Sequence, residues 1–291
     1  MNYGCQSMVA PLRRVIVKRP QEAFRSPQHI QAQWKQINFL DAPDFTKAVR
    51  EHEAFVQLLQ KGGAEVLYLP VDERTGLDSI YTHDPGLVTD AGAILFQTGK
   101  VARRGEGPAM ADALKKWNVP VLGKIDGDAV VEGGDMVWLD RNTLLAGRGF
   151  RTNAAGIQTL RSLLAYYNIR VLSFDLPHFS GPHDVLHLMS FLSLLDENLA
   201  VVYRKLMPVP LFELLRERQI ELIDVVDEEY NTLGCNVLAP APREVVMVSG
   251  NPRTRTRLEA AGCHVQEFEG QEIAFKGSGG PTCLTRPLLR I

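Results

Sequence analysis

Residues 135–177 have the sequence DMVWLDRNTLLAGRGFRTNAAGIQTLRSLLAYYNIRVLSFDLP, which contains one complete copy of a pattern that recurs along the chain. Two apolar runs flank the turn residues Asp140–Asn142, and short β-rich runs joined in this way predict a hairpin. Residues 153–166 then have the apolar spacing of a helix, and residues 169–177 predict a further strand. The repeating unit is therefore a hairpin, a helix and a strand.

This unit occurs about five times, with a period of roughly 50 residues that is typical of stacked or radial repeat architectures. The other predicted hairpins span 86–96, 187–203 and 236–250, and the other predicted helices span 45–60, 107–117, 208–218 and 252–261. The last apolar run, Cys283–Leu289, is expected to pair with the first, Arg14–Lys18, which would protect the sheet edges. Five such units in a closed ring would form a five-bladed α/β propeller, expected as a single domain over residues 1–291. An open mixed α/β sheet with the same local elements is the alternative.

Composition excludes several classes of protein. The chain has 291 residues, 45% of them apolar, and its 32 Lys and Arg nearly balance 34 Asp and Glu, which gives a net charge of −2. This is an ordinary globular composition with no electrostatic footprint for nucleic acid or an anionic membrane.

The longest apolar run, around Leu186–Leu195, is too short to span a bilayer, and the first residues lack the apolar stretch of a signal peptide. The four cysteines show no CxxC spacing, so we expect a soluble cytoplasmic protein without disulfides or structural zinc.

Reactive side chains occur at the same phase of each repeat, just before or at the start of the hairpin. They are Asp84, Glu132, His187, Cys235 and Cys283, separated in turn by 48, 55, 48 and 48 residues. In a closed ring of repeats, equivalent positions lie at the same end of the axis. The sequence therefore predicts that these residues converge on one central cavity.

Two of these residues suggest nucleophilic chemistry. Cys283 lies in GSGGPTCL, where glycines allow close approach of the backbone to a ligand. A thiol becomes a useful nucleophile when a neighbouring His or another cation stabilises its thiolate. His187, which opens a predicted strand, could supply that partner. Taken alone, each residue also fits a structural role, as a buried cysteine or a core histidine.

Carboxylates occur at the same phase. Glu132 and Asp135 flank two glycines in VEGGDMVW, and Asp84 opens a turn in YTHDPG. Burial of a carboxylate is costly unless it meets a cation or a histidine, so a shared site is one interpretation and solvated turn residues are the other. Arginines stand nearby in ARRGE and GRGFRTN, and Arg can bind a carboxylate through two parallel hydrogen bonds or form surface ion pairs.

A metal site is a competing interpretation of one segment. His178, His183, Asp184 and His187 are close in sequence, and HDVLH places two histidines four residues apart. That spacing binds a metal only on a helix, whereas Pro177, Gly181 and Pro182 predict a loop. We therefore predict no metal at this segment, and a metal-dependent hydrolase is kept as a distant alternative.

Several of these segments resemble the guanidino-group-modifying superfamily of arginine deiminases, amidinotransferases and dimethylarginine dimethylaminohydrolases. The last group is the most similar. The resemblance is carried by GRGFRTNAAGIQTLR, VLHLMS and GGPTCLTRPLLR, with looser matches in EGGD and YTHDP, and RVIVKRP resembles the start of the fold. It covers nearly the whole chain, and the order of the motifs is specific although each alone is weak. The resemblance implies the five-bladed α/β propeller, called a pentein, in agreement with the repeat.

The resemblance also implies a mechanism. Cys283 would attack the guanidinium carbon, His187 would protonate the departing amine and then activate water, and Glu132 would orient His187. The substrate-binding set implied by the resemblance and by the departures from it consists of Asp84, Asp135, Arg103, Arg151, Arg148, His83 and Met189. Arg103 and Arg151 match positions that hold the substrate carboxylate in similar enzymes. The implied mechanism requires neither a metal nor an organic cofactor.

Two departures from the family pattern bear on the substrate. Deiminases and amidinotransferases carry His-x-Asp, whereas this chain has Met189 in place of the Asp, and His83 stands where similar enzymes often have Glu or Arg. Methionine removes an acceptor and leaves an apolar, adaptable wall, which suits a guanidine with an alkylated nitrogen.

The predicted function is a cysteine-dependent hydrolase of a substituted, arginine-like guanidine, acting through a covalent S-alkylthiouronium intermediate. An arginine deiminase or dihydrolase, an amidinotransferase and a non-catalytic guanidine-binding propeller are the alternatives. The expected partner is the small-molecule substrate, and a homodimer is left open. Cys5, Cys235, Cys263 and Asn231 receive no role.

Overall fold

The computed structural model describes residues 2–182 and 184–291, whose named strands form five separate three-stranded sheets. In every sheet, the middle strand pairs antiparallel on one side and parallel on the other. The alternative of one open sheet is therefore wrong for the described part of the chain. The repeating hairpin and third strand are confirmed.

The five sheets use strands from consecutive parts of the chain, except that the first sheet joins both ends. The sheets are β1 Leu12–Val17, β2 Glu65–Tyr68 and β15 Arg286–Arg290; β3 Gly86–Thr89, β4 Gly92–Leu95 and β5 Val121–Lys124; β6 Met136–Asp140, β7 Thr143–Arg148 and β8 Arg170–Asp175; β9 Leu192–Asp196, β10 Leu199–Val202 and β11 Glu221–Asp224; and β12 Leu238–Ala241, β13 Glu244–Val248 and β14 His264–Phe268. The α-helices are α1 Pro20–Ala23, α2 Pro27–Gln33, α3 Phe45–Lys61, α4 Glu106–Lys116, α5 Ala154–Ala165, α6 Val209–Glu217, α7 Asp227–Tyr230 and α8 Pro252–Ala260.

Each long helix connects a hairpin to the third strand of its sheet, as the periodicity predicts. Helix α5 begins after Asn153, whose side chain accepts a hydrogen bond from the Gly156 N–H at 2.8 Å, a standard N-cap. Its apolar residues Ile157, Leu160 and Leu164 are buried. Burial of such a side chain contributes roughly 1.5–3 kcal/mol, so this face secures the helix on its sheet.

The segment around His187 differs from the prediction. His187 does not open a strand but precedes a short 3₁₀ turn, Leu188–Ser190, and β9 begins only at Leu192. The His187 N–H donates to the Ser190 hydroxyl at 2.9 Å, and the Leu188 N–H donates to the Asp135 carboxylate at 3.0 Å. These side-chain acceptors hold the backbone in a turn, which apolar periodicity alone does not reveal.

The loops at the starts of the five hairpins are hydrogen-bonded to one another from sheet to sheet. The contacts are His83 N–H to Cys283 O (3.1 Å), Gly133 N–H to Asp84 O (3.1 Å), Leu188 N–H to Asp135 Oδ1 (3.0 Å), Ser193 Oγ–H to Cys235 O (2.8 Å) and Thr282 N–H to Asn236 Oδ1 (3.1 Å). Each contact joins neighbouring sheets, and the last joins the fifth sheet to the first; four run from loop to loop, whereas Ser193 lies in β9 and bonds to the loop of the fifth sheet. Residues far apart in sequence therefore meet at this end of the molecule.

Among the described residues, no helix combines the length and the apolar character that crossing a bilayer would need.

Candidate active site

Two adjoining cavities lie over these loops. The first has a volume of about 380 Å³, and its lining includes Asp84, Glu132, His187 and Cys283. The second has a volume of about 350 Å³ and shares His187 and Cys283 with the first. The sulfur and the imidazole therefore border a common space, as the spacing along the sequence predicts.

Cys283 lies in a turn just before β15 and is partly exposed to the cavities. Burial, aided by the negative charge of Asp84, raises the pKa of its thiol to about 12. The side-chain amide of Asn236 donates a hydrogen bond to the sulfur at 3.3 Å. The neighbouring glycines permit close packing, but against protein: a Cβ at Gly279 would lie 2.4 Å from the Tyr81 ring.

His187 and Glu132 form a buried ion pair. The imidazole Nε2 lies 2.7 Å from Glu132 Oε2, and the Glu132 side chain is fully buried. Burial alone would lower the pKa of His187, but Asp135, the hydrogen bond to Glu132 and Asp84 outweigh it and raise this pKa to about 9. The imidazole is therefore protonated near neutral pH and can donate a proton.

The same contact keeps Glu132 ionised. Burial would raise the pKa of this carboxyl, but the hydrogen bond from His187 outweighs burial and lowers the pKa. The Lys100 N–H donates to Glu132 Oε1 at 3.1 Å. Glu132 therefore remains a carboxylate that borders the first cavity and holds the imidazole in place.

Asp84 provides a second carboxylate on the first cavity. Its Oδ1 accepts the Gly134 N–H at 3.0 Å, and its Oδ2 accepts from Arg103 Nη1 at 2.5 Å. Burial would raise the pKa of Asp84, but the Arg103 guanidinium holds it well below its usual range. The group is ionised and suited to an N–H donor of a cationic ligand.

Asp135 and His83 are not among the residues that line either cavity. The Asp135 carboxylate holds the turn that follows His187, and burial raises its pKa to about 6. His83 lies 2.8 Å from the Thr285 carbonyl, and burial, with the charge of Arg286, lowers its pKa to about 3. The structure therefore places both behind the site, where they support it, and not at the substrate-binding positions expected from the sequence.

Arg103 has partners other than the carboxylate clamp that the resemblance implies. Its guanidinium donates to Glu106 through Nε at 2.9 Å and Nη2 at 2.8 Å, to the Tyr81 carbonyl at 3.0 Å and to Asp84. Four of its five N–H donors are thus used within the protein. Arg103 therefore holds Asp84 in place, and only one of its N–H groups would remain free to bind a substrate carboxylate.

The other two arginines differ in their position relative to the cavities. Arg151 lines the first cavity, and its Nη1 makes only long contacts of 3.4 Å with Glu132. Arg148 instead forms an exposed pair with Asp175, at 2.5 and 2.6 Å, and does not line the two cavities that meet at Cys283. Of the three, Arg151 has the guanidinium best placed for an anionic group of a ligand.

The second cavity extends beyond His187 along the side where Met189 lies. Its lining includes Met189, Tyr230, Leu233, Cys235, Asn236 and Phe275. Met189 is buried, and its thioether side chain stands at the position that differs from the His-x-Asp pattern. Burial raises the pKa of Cys235, whose thiol donates to the Val201 carbonyl at 3.6 Å, so this sulfur stays a neutral thiol.

Sequence reasoning missed several residues of the site. Lys100 lines the first cavity and pairs with Asp78 at 2.5 Å. Glu106 holds Arg103, and Asn236 contacts the sulfur. Asn236 directly follows Cys235 at the repeat phase, so that phase was a usable signal. No comparable signal marked Lys100 or its partner Asp78, and Glu106 ends the ARRGE segment without a pattern that assigns it a role.

The described residues contain one group of three side chains with the spacing of metal ligands, Asp84, Glu132 and His187, whose ligand atoms lie within 4.8 Å of one another. Glu132 Oε2 already accepts from the imidazole, and Asp84 is paired with Arg103, so the cluster is neutralised by protein cations. His178 is exposed, with its ring 5.5 Å from that of Phe150, and His183 lies outside the described residues. Among the residues that the structure describes, His178 and Asp184 do not join His187 in a group with the spacing of metal ligands.

Comparison with known proteins agrees with this geometry. Residues 23–290 match the sequence model of the family described as N,N dimethylarginine dimethylhydrolase, eukaryotic. The chain is 28% identical over 246 residues to the N(G),N(G)-dimethylarginine dimethylaminohydrolase of Pseudomonas aeruginosa, a match that covers 84% of this chain and 90% of that protein.

Solved structures share the fold. A Pseudomonas aeruginosa dimethylarginine dimethylaminohydrolase complexed with citrulline superposes with a TM-score of 0.78 at 24% identity, over 97% of this chain and 100% of that chain. An amidinotransferase from Microseira wollei superposes with a TM-score of 0.81 at 17% identity, over 100% of this chain and 98% of that chain. The α/β fold is thus common to a hydrolase and a transferase.

Proposed function

Because the chain belongs to the N,N-dimethylarginine dimethylhydrolase family, whose members hydrolyse guanidino C–N bonds, we propose that it cleaves an N-methylated or related arginine-like guanidine. The products are a ureido compound and the free amine. The observation that carries this proposal is the first cavity, which Cys283, His187, Asp84 and Glu132 line together. A nucleophile, a proton donor and two anions are the groups that a planar cation of low electrophilicity requires.

In this proposal the two carboxylates bind the substrate. Asp84 and Glu132 accept N–H groups of the guanidinium and hold its plane against the sulfur, and Arg151 binds an anionic group at the other end. The low pKa of both carboxyls supports this assignment, since ionised acceptors form the stronger hydrogen bonds.

The bound cation also activates the nucleophile. The pKa of about 12 leaves Cys283 a neutral thiol before substrate binds. A positive charge within a few ångströms of the sulfur favours the thiolate, so the thiol loses its proton to water as the guanidinium arrives. Ionisation of the sulfur is thereby coupled to the presence of a cationic substrate.

The reaction then proceeds in two halves. The thiolate adds to the guanidinium carbon, the His187 imidazolium gives its proton to the departing nitrogen, and the C–N bond breaks to leave an S-alkylthiouronium on Cys283. The neutral imidazole next takes a proton from water, and the resulting hydroxide adds to the same carbon. The C–S bond breaks with its electron pair returning to sulfur, and the hydroxyl proton leaves to water, giving the ureido product.

Met189 selects for a substituted nitrogen. It lines the second cavity, which continues from His187, where the departing amine receives its proton. A methylated nitrogen has fewer N–H groups to satisfy and gains from contact with a polarisable thioether. This assignment makes N-alkylated guanidines better substrates than arginine itself.

A second proposal concerns the arrangement of the five sheets. We propose that the five sheets are blades of a five-bladed α/β propeller, a pentein, that forms a single domain over residues 1–291. The sheet-to-sheet hydrogen bonds between the hairpin loops support ring closure, because the fifth loop bonds back to the first through Thr282 and Asn236.

A substrate panel tests the function. Purified protein is incubated with arginine, monomethylated and dimethylated arginine and short guanidino acids, and mass spectrometry detects ureido products and released amines. We expect release of an alkylamine from the methylated substrates at a higher kcat/KM than ammonia release from arginine. Absence of turnover with every member would contradict the proposal and favour a guanidine-binding protein.

An amidinotransferase is the second candidate. The second cavity, open beside Cys283, offers room for an amine acceptor in place of water. Addition of glycine, ornithine or other amines to the assay would then yield a new guanidine at the expense of the ureido product. An unchanged product ratio across these amines supports the hydrolase.

A further inference from the structure

Asn236 precedes β12 in the fifth sheet, the one sheet whose loop supplies no group to the proposed mechanism. We propose that Asn236 is a catalytic residue that stabilises the Cys283 thiolate by donating a hydrogen bond to the sulfur and fixes the sulfur's direction of attack. This inference rests on the proposed role of Cys283 as the nucleophile. It completes the site with one contribution from each of the five hairpin loops.

The orientation of the amide follows from its neighbours. The Thr282 N–H lies 3.1 Å from one side-chain atom of Asn236. Because a backbone N–H can only donate, that atom is the amide oxygen. The NH₂ group must then be the atom that lies 3.3 Å from the Cys283 sulfur. The contact is therefore a donor to sulfur, which favours the charged form of the thiol.

The amide is held in this position from three sides. Asn236 is 7% exposed, and a Cβ at Gly280 would lie 2.6 Å from its oxygen, so the backbone packs directly on it. The Ser193 hydroxyl donates to the Cys235 carbonyl at 2.8 Å and accepts the Val237 N–H at 3.3 Å, which fixes the backbone on both sides of Asn236. The donor therefore cannot turn away when the sulfur changes its charge.

A neutral donor suits this position better than a cation. The sulfur needs stabilisation because it is buried and lies near the negative charge of Asp84. A lysine or arginine beside the sulfur would favour the thiolate but would also repel the guanidinium that must sit above it. An amide favours the thiolate through its dipole and leaves the charge balance of the first cavity unchanged.

Two substitutions separate donation to sulfur from a structural role. Asn236→Ala removes both contacts, whereas Asn236→Asp keeps an acceptor for the Thr282 N–H and replaces the donor by a carboxylate. The rate of Cys283 alkylation by iodoacetamide is measured from pH 6 to 10, below the thiol's pKa of about 12, where the logarithm of the rate rises linearly with pH and displacement of this line along the pH axis reports a change in pKa. Peptide mass spectrometry identifies the modified cysteine. Thermal midpoints report folding, and Asn236→Ser replaces the alanine variant if that variant does not fold.

We expect the alanine variant to shift the alkylation profile upward by about one pH unit, since a hydrogen bond to an ionised group contributes on this scale. The aspartate variant should shift it further, because a second carboxylate repels the thiolate. Substrate turnover should fall by roughly tenfold in the first variant and more in the second. A merely structural role predicts the opposite order, with the aspartate variant close to the unsubstituted protein.

A buried amide elsewhere provides the matched control. Asn251 is fully buried and donates to the Thr232 and Val248 carbonyls, with no contact to the cysteine. Asn251→Ala should lower the thermal midpoint and leave the alkylation profile in place. An unshifted profile in Asn236→Ala, or a normal one in Asn236→Asp, would overturn the inference. Because alkylation needs no guanidine, a shifted profile in a protein that hydrolyses no guanidine would reject only the proposed function.

Discussion

The two cavities that meet at Cys283 differ in the charge of their walls. The residues that line only the first include three acids and three bases: Asp78, Asp84, Glu132, Lys100, Arg103 and Arg151. The residues described as lining only the second include no formally charged side chain. The sulfur thus stands between a charged cavity, whose own walls carry six charged side chains, and a second cavity whose own walls carry none, while Asp184 and His187 line both.

Under the proposed function, this difference separates binding of the cation from release of the amine. Paired charges in a poorly hydrated space would orient the planar head group and cost little rearrangement during the reaction. The residues that line only the second cavity present neutral polar groups, among them Tyr230 and Asn231, which hold an amine less strongly than ionised acceptors do. In this proposal the first cavity governs recognition, and the second governs which substituent can leave.

The largest effect is expected from removal of the Cys283 sulfur, which lies between the two cavities. Cys283→Ala removes the nucleophile, so release of amine or ammonia should fall by at least ~10⁴-fold, as for other nucleophile deletions. The measurement is the initial rate with the best substrate of the panel. Cys235→Ala, the matched change in the uncharged cavity, should retain activity. Full activity in the Cys283 variant would reject covalent catalysis and return the metal-dependent alternative to consideration, with chelator sensitivity as its test.

The second prediction concerns the charged cavity. Glu132→Gln removes a charge that raises the pKa of His187, so this pKa should fall from about 9. His187 must be protonated to donate to the leaving amine, so the limb over which activity is lost as pH rises should move to lower pH. We expect kcat to fall roughly 10²–10⁴-fold, the range of general acid catalysis. The check is the kcat–pH profile, with exposed Glu217→Gln as a control that leaves both values unchanged.

The third prediction concerns the uncharged cavity. Met189→Asp adds an acceptor and a charge near the departing nitrogen, which should favour an unsubstituted guanidinium over a methylated one. The ratio of kcat/KM for methylated arginine to that for arginine should fall by about tenfold or more. Met189→Leu conserves volume and should keep the ratio. If this ratio is unaltered in the aspartate variant, the second cavity does not determine the preference for methylated substrates.

The smallest effect is expected outside both cavities. Arg148 forms an exposed ion pair with Asp175, and exposed pairs contribute little. Arg148→Ala should therefore change KM by less than about twofold, measured under the same conditions as the other variants. A tenfold rise in KM would place Arg148 in the site after all and extend the charged compartment toward the surface.

Periodicity was sufficient to predict most of the fold. The hairpin at 86–96 and the helix at 45–60 are confirmed almost to the residue, because each is determined by local apolar spacing and turn residues. The turn at His187 was missed because Asp135, 52 positions earlier, supplies an acceptor to its backbone. Such a side-chain contact leaves no periodic trace in the sequence.

For the site, the repeat phase placed the short catalytic side chains but not the long ones. Cys283, His187 and Glu132 project directly from the hairpin loops, so the backbone geometry determines where they point. Arginine side chains extend over several bonds, so their partners depend on residues outside the motif that contains them. Arg103 forms an ion pair with Glu106, and Arg148 forms one with Asp175. Asn236 was missed because the ionisable Cys235 beside it occupies the repeat position.

The pairing of β1 with β15 joins residues 12–17 to residues 286–290, which follow all of the other strands along the chain. Each of the four other sheets uses strands from one continuous stretch of the chain, so this sheet can close only after the strands of the other four have been synthesised. Contacts of such long range slow folding, and the sulfur of Cys283 is delivered by the same late segment. Under the proposed function, the nucleophile therefore reaches its place only when the sheet that joins β1 and β15 can form.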